Sequence, residues 1–535
     1  MSSGKNGSTH RWALAGILLV ALGLRVWGIG FGLPHATARP DETSVAGPAV
    51  KFLSGNFEPP HFMYPTGFMY GLSGAYLVYY EATRPWAAYK TLHDFAESRR
   101  QDLAPFLLTS RAISVLFGVL TVFWLYGLAT RAAGRAAALL AAAFLAVCFL
   151  HVRDSHFGVT DATMTGLVVL AVSIIAKWHE VGTLSLAARA GLAGGLAMAM
   201  KYNGLGVAVP FGVAAVDRWI AAGRSRAATA STLTSGVLFA AIFAVVFLAS
   251  SFYILIQPDR FWRDVTLQGQ TFAAGHGIVM PIGWSYHATV TLPAALGWPM
   301  FIAGVAGLGW FLARDLRRAL VIVAFPVAYY VVAGSGHTVF ARYTLPLLPF
   351  LCLGAAYTCV RVAETLTVGR GDPRRVAATA LLGVLVALPT AAKSVQIDRL
   401  LSRTDNRVLV ANALRAIVAP GATIYQTGSA FGKIQWPEPL RLHDVEFNDA
   451  TGAFDGPPPE WIVIQHSPLA PYSAVPVQLP ALLSQQYKLV KTFPVGDDRV
   501  RTYDPQDAFF LPLAGLDGIE RPGPTFDLYQ RNGML

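Results

Sequence analysis

Asp41 and Glu42 stand side by side in RPDETSVAGP, shortly after an apolar run. Three further polar stretches interrupt apolar runs in the same way. His151, Arg153, Asp154, His156 and Asp161 lie in HVRDSHFGVTDATMTG, Lys201 and Tyr202 in AMAMKYNG, and His337, Arg342 and Tyr343 in GSGHTVFARYTLP. Carboxylates and cations gathered at one end of an apolar bundle suit a phosphate ester whose tail is held in lipid. Lys and Arg would neutralise the phosphate, and an Asp would take the proton of a hydroxyl acceptor arriving from water.

The same residues also have structural readings. Acids after Pro40 fit the first turn of a helix, where the helix dipole favours them. Asp161 fits an N-cap for the run it precedes. Lys201 and Arg342 fit interfacial side chains reaching for water. His151, Asp154 and His156 fit either polar packing or a metal site, because no spacing among them is diagnostic. Arg25 differs from these: about eight residues inside the end of its run, it is roughly 12 Å deep and needs an anionic or carbonyl partner within the bundle.

The elements that must position these residues follow from composition. The 535 residues are 54% hydrophobic and 14% charged, with a mean hydropathy of +0.46, which excludes a soluble globular protein and indicates a polytopic membrane protein. The net charge of +11 sits in short loops and forms no single stripe, which argues against nucleic-acid binding. Cys148, Cys352 and Cys359 fall inside apolar runs and read as small core hydrophobes. Apolar runs occur near 12–33, 105–129, 136–150, 157–176, 185–200, 203–217, 232–256, 288–313, 319–334, 343–360 and 376–392. The first is too long for a cleaved signal peptide, although Ala36-Thr37-Ala38 imitates a cleavage site.

Alternate linkers collect fourteen basic residues: Arg131 and Arg135, Lys177 and Arg189, three Arg over 218–226, three over 314–318, and four over 361–375. That set marks the cytoplasmic side. The N-terminus is then cytoplasmic, and Asp41, Glu42 and everything after 392 are extracytoplasmic. The run YPTGFMYGLSGAYLVYY, residues 64–80, would invert every later loop if it crossed, so it is expected to lie in or dip into the outer interface. From about 393 the pattern changes to a helix, DNRVLVANALRAIVAP, and the strand-like GATIYQTG, EWIVIQHS and YKLVKTF. The fold class is therefore an all-α polytopic membrane bundle of about eleven spans, thirteen at most, over 1–392, including a long outer loop at 34–104. A small extracytoplasmic α/β domain follows over 393–535.

RPDETSVAGPAVKFLSGNFEPPHFMYPTGFMYGL, SHFGVTDATMTGLVVLA, GLAGGLAMAMKYNG, RYTLPLLPFLCLG and DPQDAFFLPLAGLDGIERPGPTFDLYQR together resemble the bacterial relatives of the dolichyl-phosphate-mannose protein mannosyltransferases and the lipid A aminoarabinose transferases. These belong to the GT-C class of membrane glycosyltransferases. The resemblance implies inverting transfer of a hexosyl or pentosyl group from a polyprenyl-phosphate-linked donor to a glycan, lipid or protein hydroxyl at the outer face of the cell (inner) membrane. It implies Asp41 as the base, with Glu42 beside it, Asp161 as a second acidic residue, and Lys201, Arg342 and His337 as candidate donor-phosphate contacts. Where relatives carry a basic residue beside a Pro-Pro in the first loop, this chain has EPPHFMYPTG, leaving His61 or Tyr64 to substitute. The sugar-binding insertion of the eukaryotic branch has no counterpart. Asp41, Glu42 and Asp161 offer oxygen ligands for a divalent cation without requiring one. Two other classes fit the same residues: a transporter or flippase of an anionic lipid-linked glycan, and a non-catalytic scaffold whose outer domain binds envelope partners.

Overall fold

The computed structural model describes residues 3–369, 372–436, 442–497 and 501–533, excepting the side chains of 3–9. Arg370, one of the loop cations, lies outside the described residues. The chain forms two compact units: Met1–Val26, Val45–Ser98 and Phe106–Val395 make the first, and Trp27–Ser44, Arg99–Pro105 and Gln396–Leu535 the second.

The first unit is helical. Among the described residues, seven helices are long and apolar enough to cross a bilayer. An eighth crossing is added if Gly283–Leu296 and Trp298–Arg314, bent by 113°, count as one span. The chain is a multi-pass integral membrane protein. The count falls below the eleven apolar runs for identifiable reasons. Ala104–Ala146 has 43 residues, about 65 Å of helix against a hydrocarbon core of about 30 Å. It breaks at Gly134 (φ 82°, ψ 174°), a backbone region essentially restricted to glycine. That break falls between Arg131 and Arg135, where the loop pattern puts a turn. Leu184–Met200, at 17 residues, is apolar but short of the length criterion.

Leu184–Met200 contains the Gly-rich run GLAGGLAMAM and packs on Arg226–Ser250. A Cβ at Gly191 would lie 2.5 Å from the Phe239 carbonyl oxygen, and one at Gly195 2.6 Å from that of Phe243. Small residues four apart let the two backbones touch, the usual packing device between membrane helices. The 64–80 stretch forms the helix Gly67–Thr83, which is not among the candidate spans. Its buried residues include Phe68, Met69, Leu72 and Tyr76, and it packs against Leu184–Met200 and Arg226–Ser250.

Arg25 is wholly buried. Its guanidinium donates to the carbonyls of Ala21 (2.9 Å), Ala146 (3.1 Å) and Leu145 (3.2 Å) and lies 2.7 Å from His151 Nδ1. The depth argument from sequence thus meets carbonyl partners, which bind a guanidinium that cannot be deprotonated.

The second unit carries a five-stranded mixed sheet. Its central strand, Trp461–His466, runs parallel to Thr423–Gln426 and antiparallel to Thr525–Arg531. His443–Asp444 and Tyr487–Phe493 form the edges. Alternation along the central strand sends Trp461 and Val463 to one face, with Val410 and Leu414 of the helix Asn406–Ile417. Ile462 and Ile464 go to the other, with Leu479 and Leu483 of Leu479–Gln486. Asp405 caps Asn406–Ile417, accepting from the Arg407 backbone N–H at 2.9 Å.

Candidate active site

In the first unit, Asp161 is the second residue of the helix Thr160–Val181, whose N-cap is Val159. The N-cap reading of Asp161 is thereby corrected. Its carboxylate, in the first turn where the helix dipole is positive, instead accepts a hydrogen bond from Lys201 Nζ at 2.7 Å. Lys201 ends Leu184–Met200 in an extended conformation (φ −155°, ψ 135°), which turns its side chain out of the helix path. Its ammonium lies 5.1 Å from the centroid of the Tyr343 ring, within cation–π range. The Lys201 side chain is 13% exposed and that of Asp161 6%, so the pair is largely dry with its small remaining access on the ammonium side. The reading of Lys201 as a side chain reaching for interfacial water is replaced by this pairing.

Arg342 belongs to the 3₁₀ turn Ala341–Leu347 and is buried, its guanidinium carbon 3.9 Å from the Phe340 ring centroid. Burial rules out the snorkelling reading for it as well. One residue along the same turn, Tyr343 meets Lys201. His337 is half-buried and donates from Nδ1 to the Met280 carbonyl at 2.6 Å, while its backbone N–H bonds Phe272 O at 3.1 Å. It therefore anchors the segment entering the Arg342 turn. His61 and Tyr64 have ring centroids 6.3 Å apart. Burial lowers the His61 pKa, with Asp264 partly opposing it. Their segment is clasped by the helix Pro258–Ala274: Phe62 N–H donates to Asp264 at 2.9 Å, and Arg260 bonds Glu58 at 3.0 Å.

The other histidines are part of the packing. His151 Nδ1 faces Arg25, His156 Nδ1 donates to the Val152 carbonyl at 2.9 Å, and Asp154 pairs with Arg153 at 3.2 Å. Among the described residues, no three His, Cys, Asp or Glu side chains are placed to hold a metal ion.

In the second unit, Asp41 and Glu42 occupy the first turn of Pro40–Phe52. Glu42 is fully buried. Asp41 is 27% exposed and lies 3.5 Å from the guanidinium of Arg39, so of the two adjacent acids it is the one accessible to a substrate. Arg39 has no exposed surface; it pairs with Asp507 and lies over the Phe509 ring, 5.8 Å from its centroid. Sequence reasoning assigned no role to Arg39 or Asp507. Both stood in stretches quoted for the resemblance, RPDETSVAGP and DPQDAFF, without a function of their own.

Residues 108–255 match the model of the dolichyl-phosphate-mannose-protein mannosyltransferase family, a segment that contains Asp161 and Lys201. No curated protein matches the sequence significantly. Among solved structures, ArnT from Cupriavidus metallidurans in the apo state aligns with a TM-score of 0.53 at 14% identity, covering 98% of each chain. The same protein bound to undecaprenyl phosphate aligns with a TM-score of 0.51 at 14% identity, covering 93% of this chain and 97% of that one. AglB from Archaeoglobus fulgidus, in complex with an inhibitory peptide and a dolichol-phosphate, gives a TM-score of 0.53 at 13% identity over 86% of this chain. That alignment covers 69% of AglB, so this chain spans about two thirds of that longer protein.

At such identities the structures speak for the fold alone, and it is the GT-C fold. The chain therefore shares its fold with ArnT and AglB, and residues 108–255 are similar to the dolichyl-phosphate-mannose-protein mannosyltransferase family.

Proposed function

We propose that the chain is an inverting transferase that moves a sugar from a polyprenyl phosphate to an acceptor hydroxyl at the outer face of the cytoplasmic membrane. Eleven crossings would leave the N-terminus cytoplasmic and 393–535 outside, in agreement with the loop charges. Asp41 accepts the proton of the acceptor hydroxyl. The acceptor oxygen forms its bond to the anomeric carbon from the face opposite the phosphate, and the bond from that carbon to the phosphate oxygen breaks. The donor is a phosphodiester with one negative charge; the departing polyprenyl phosphate is a monoester that carries one more. Cations beside the departing oxygen are therefore worth more in the transition state than in the ground state, which is the condition for catalysis.

The observation that carries this reading is the Asp161–Lys201 pair at 2.7 Å, nearly dry, with Tyr343 against the ammonium. Asp161 orients Lys201 through their hydrogen bond, and Lys201 with Arg342 receives the phosphate. Arg39, paired with Asp507, lies 3.5 Å from Asp41 and positions that carboxylate. ArnT bound to undecaprenyl phosphate and AglB with a dolichol-phosphate support a polyprenyl phosphate as the leaving group. The acceptor class is a hydroxyl on a glycan, lipid or protein.

The test is sugar transfer by the purified, detergent-solubilised chain, comparing a panel of polyprenyl-phosphate sugars with nucleotide sugars. Turnover of at least one lipid-phosphate donor and of no nucleotide sugar is expected. Turnover of a nucleotide sugar without lipid phosphate would overturn the donor assignment.

A further inference from the structure

The second unit has a cavity of about 660 Å³ that the reaction scheme does not use, within the range of about 300–1,000 Å³ typical of small-ligand sites. Its basic wall comprises Arg399 and Arg403, four residues apart at the end of the helix Asp372–Leu401, with Arg521 from the tail. Among the described residues none of these three guanidiniums is engaged by a carboxylate, and Arg399 and Arg403 are exposed. Leu400, Leu516 and Ile519 contribute buried apolar surface to the lining. Two carboxylates also face the cavity. Asp517 accepts from the Gln396 amide at 2.9 Å, and Glu520 lies beside Arg521 in sequence.

This composition is selective. A site for a bare anion would exclude carboxylates, and a site for a neutral sugar would not gather three guanidiniums in one wall. Arginine forks match phosphate oxygens, carboxylates accept from sugar hydroxyls, and apolar side chains take the C–H face of a saccharide ring. We propose that the cavity binds a phosphate-bearing saccharide, separately from the donor site.

Two sources carry that chemistry: a soluble sugar phosphate and the phosphorylated polyhydroxyl headgroup of a membrane lipid. The position of the arginines bears on the choice. The apolar run ends near 392, so Arg399 is roughly 10 Å further along the helix, at the depth of an extended headgroup. The proposal stands whether or not the transferase reading does, because it is tested by binding.

The test uses the full chain in phosphatidylcholine nanodiscs, wild type against Arg399→Gln/Arg403→Gln and Arg521→Gln. Binding of glucose 1-phosphate and of glucose is measured by calorimetry, and melting is checked for each variant. In a second arm, nanodiscs containing phosphatidylinositol 4-phosphate are compared with phosphatidylcholine alone by competition with glucose 1-phosphate. Glucose 1-phosphate should bind at least tenfold tighter than glucose, and affinity should fall at least tenfold in each variant at unchanged melting temperature. Competition by the phosphoinositide assigns the headgroup source; its absence assigns the soluble one. Equal binding of glucose, no binding of glucose 1-phosphate in phosphatidylcholine nanodiscs, or variants that bind like the wild type, would overturn the proposal.

Discussion

Replacing Lys201 by Met separates the structural from the catalytic role of the Asp161–Lys201 pair. At 2.7 Å the gross attraction is about 6 kcal/mol with an effective dielectric constant of about 20. Much of it offsets the desolvation of two groups that are 13% and 6% exposed. What the single variant leaves is an Asp161 carboxylate buried without its cation, which costs about 3–5 kcal/mol, and the low end applies because the pair keeps some access to water. Lys201→Met/Asp161→Leu removes both charges and should recover most of that loss. Transfer should behave differently. Without a cation at the departing phosphate, kcat/KM falls by about 10²–10³ in the single variant, and the double variant stays equally inactive although it melts near the wild type. The assay pairs thermal unfolding in detergent with transfer from the best polyprenyl-phosphate donor. A stable double variant with wild-type transfer would refute the reasoning and reduce the pair to a packing device.

Three other expectations follow from the geometry. Asp507→Asn removes one carboxylate from the buried Arg39 and leaves Asp41 beside it; unfolding should show a loss of about 2–4 kcal/mol, and transfer should fall as Arg39 draws Asp41 into a tighter pair. His35 is buried, and burial first, then the nearby Arg407, lowers its pKa to about 3. The unfolded state therefore binds the proton first, and stability that is complete above about pH 6.5 declines by up to about 1.4 kcal/mol per unit as pH falls toward 3; His35→Gln should flatten that slope in a pH series of melts. Arg25→Met removes the guanidinium's bonds to the carbonyls of Ala21, Leu145 and Ala146, and a loss of about 3 kcal/mol should appear in detergent unfolding, with the remaining folded protein still transferring sugar.

What could be read from the sequence was whatever depends on local pattern. Hydropathy marked a multi-pass membrane protein, although its eleven runs exceed the seven or eight candidate spans among the described residues, and the burial of Arg25 followed from counting residues along one helix. In the second unit, TIYQ, WIVIQH and YKLVKTF are strands as their β-branched and aromatic residues suggest. TFDLYQR, which pairs with two of them, was not singled out as a strand, because its alternation of buried Phe526 and Leu528 stops after four residues. The pairs that organise the site were illegible because they are non-local. Asp161 looked like a cap because its partner lies forty residues on. Arg39 and Asp507 are 468 residues apart, and no local pattern announces an ion pair at that distance. Arg342 was read as interfacial because its burial depends on how the 3₁₀ turn packs.

The most direct test of the central claim is transfer by Asp41→Asn, which keeps the side chain's shape and removes its basicity. With a lipid-phosphate donor that the wild type turns over, the account predicts loss of labelled product by at least a hundredfold at unchanged expression and melting temperature. Near wild-type turnover in that variant would contradict it and move the base elsewhere.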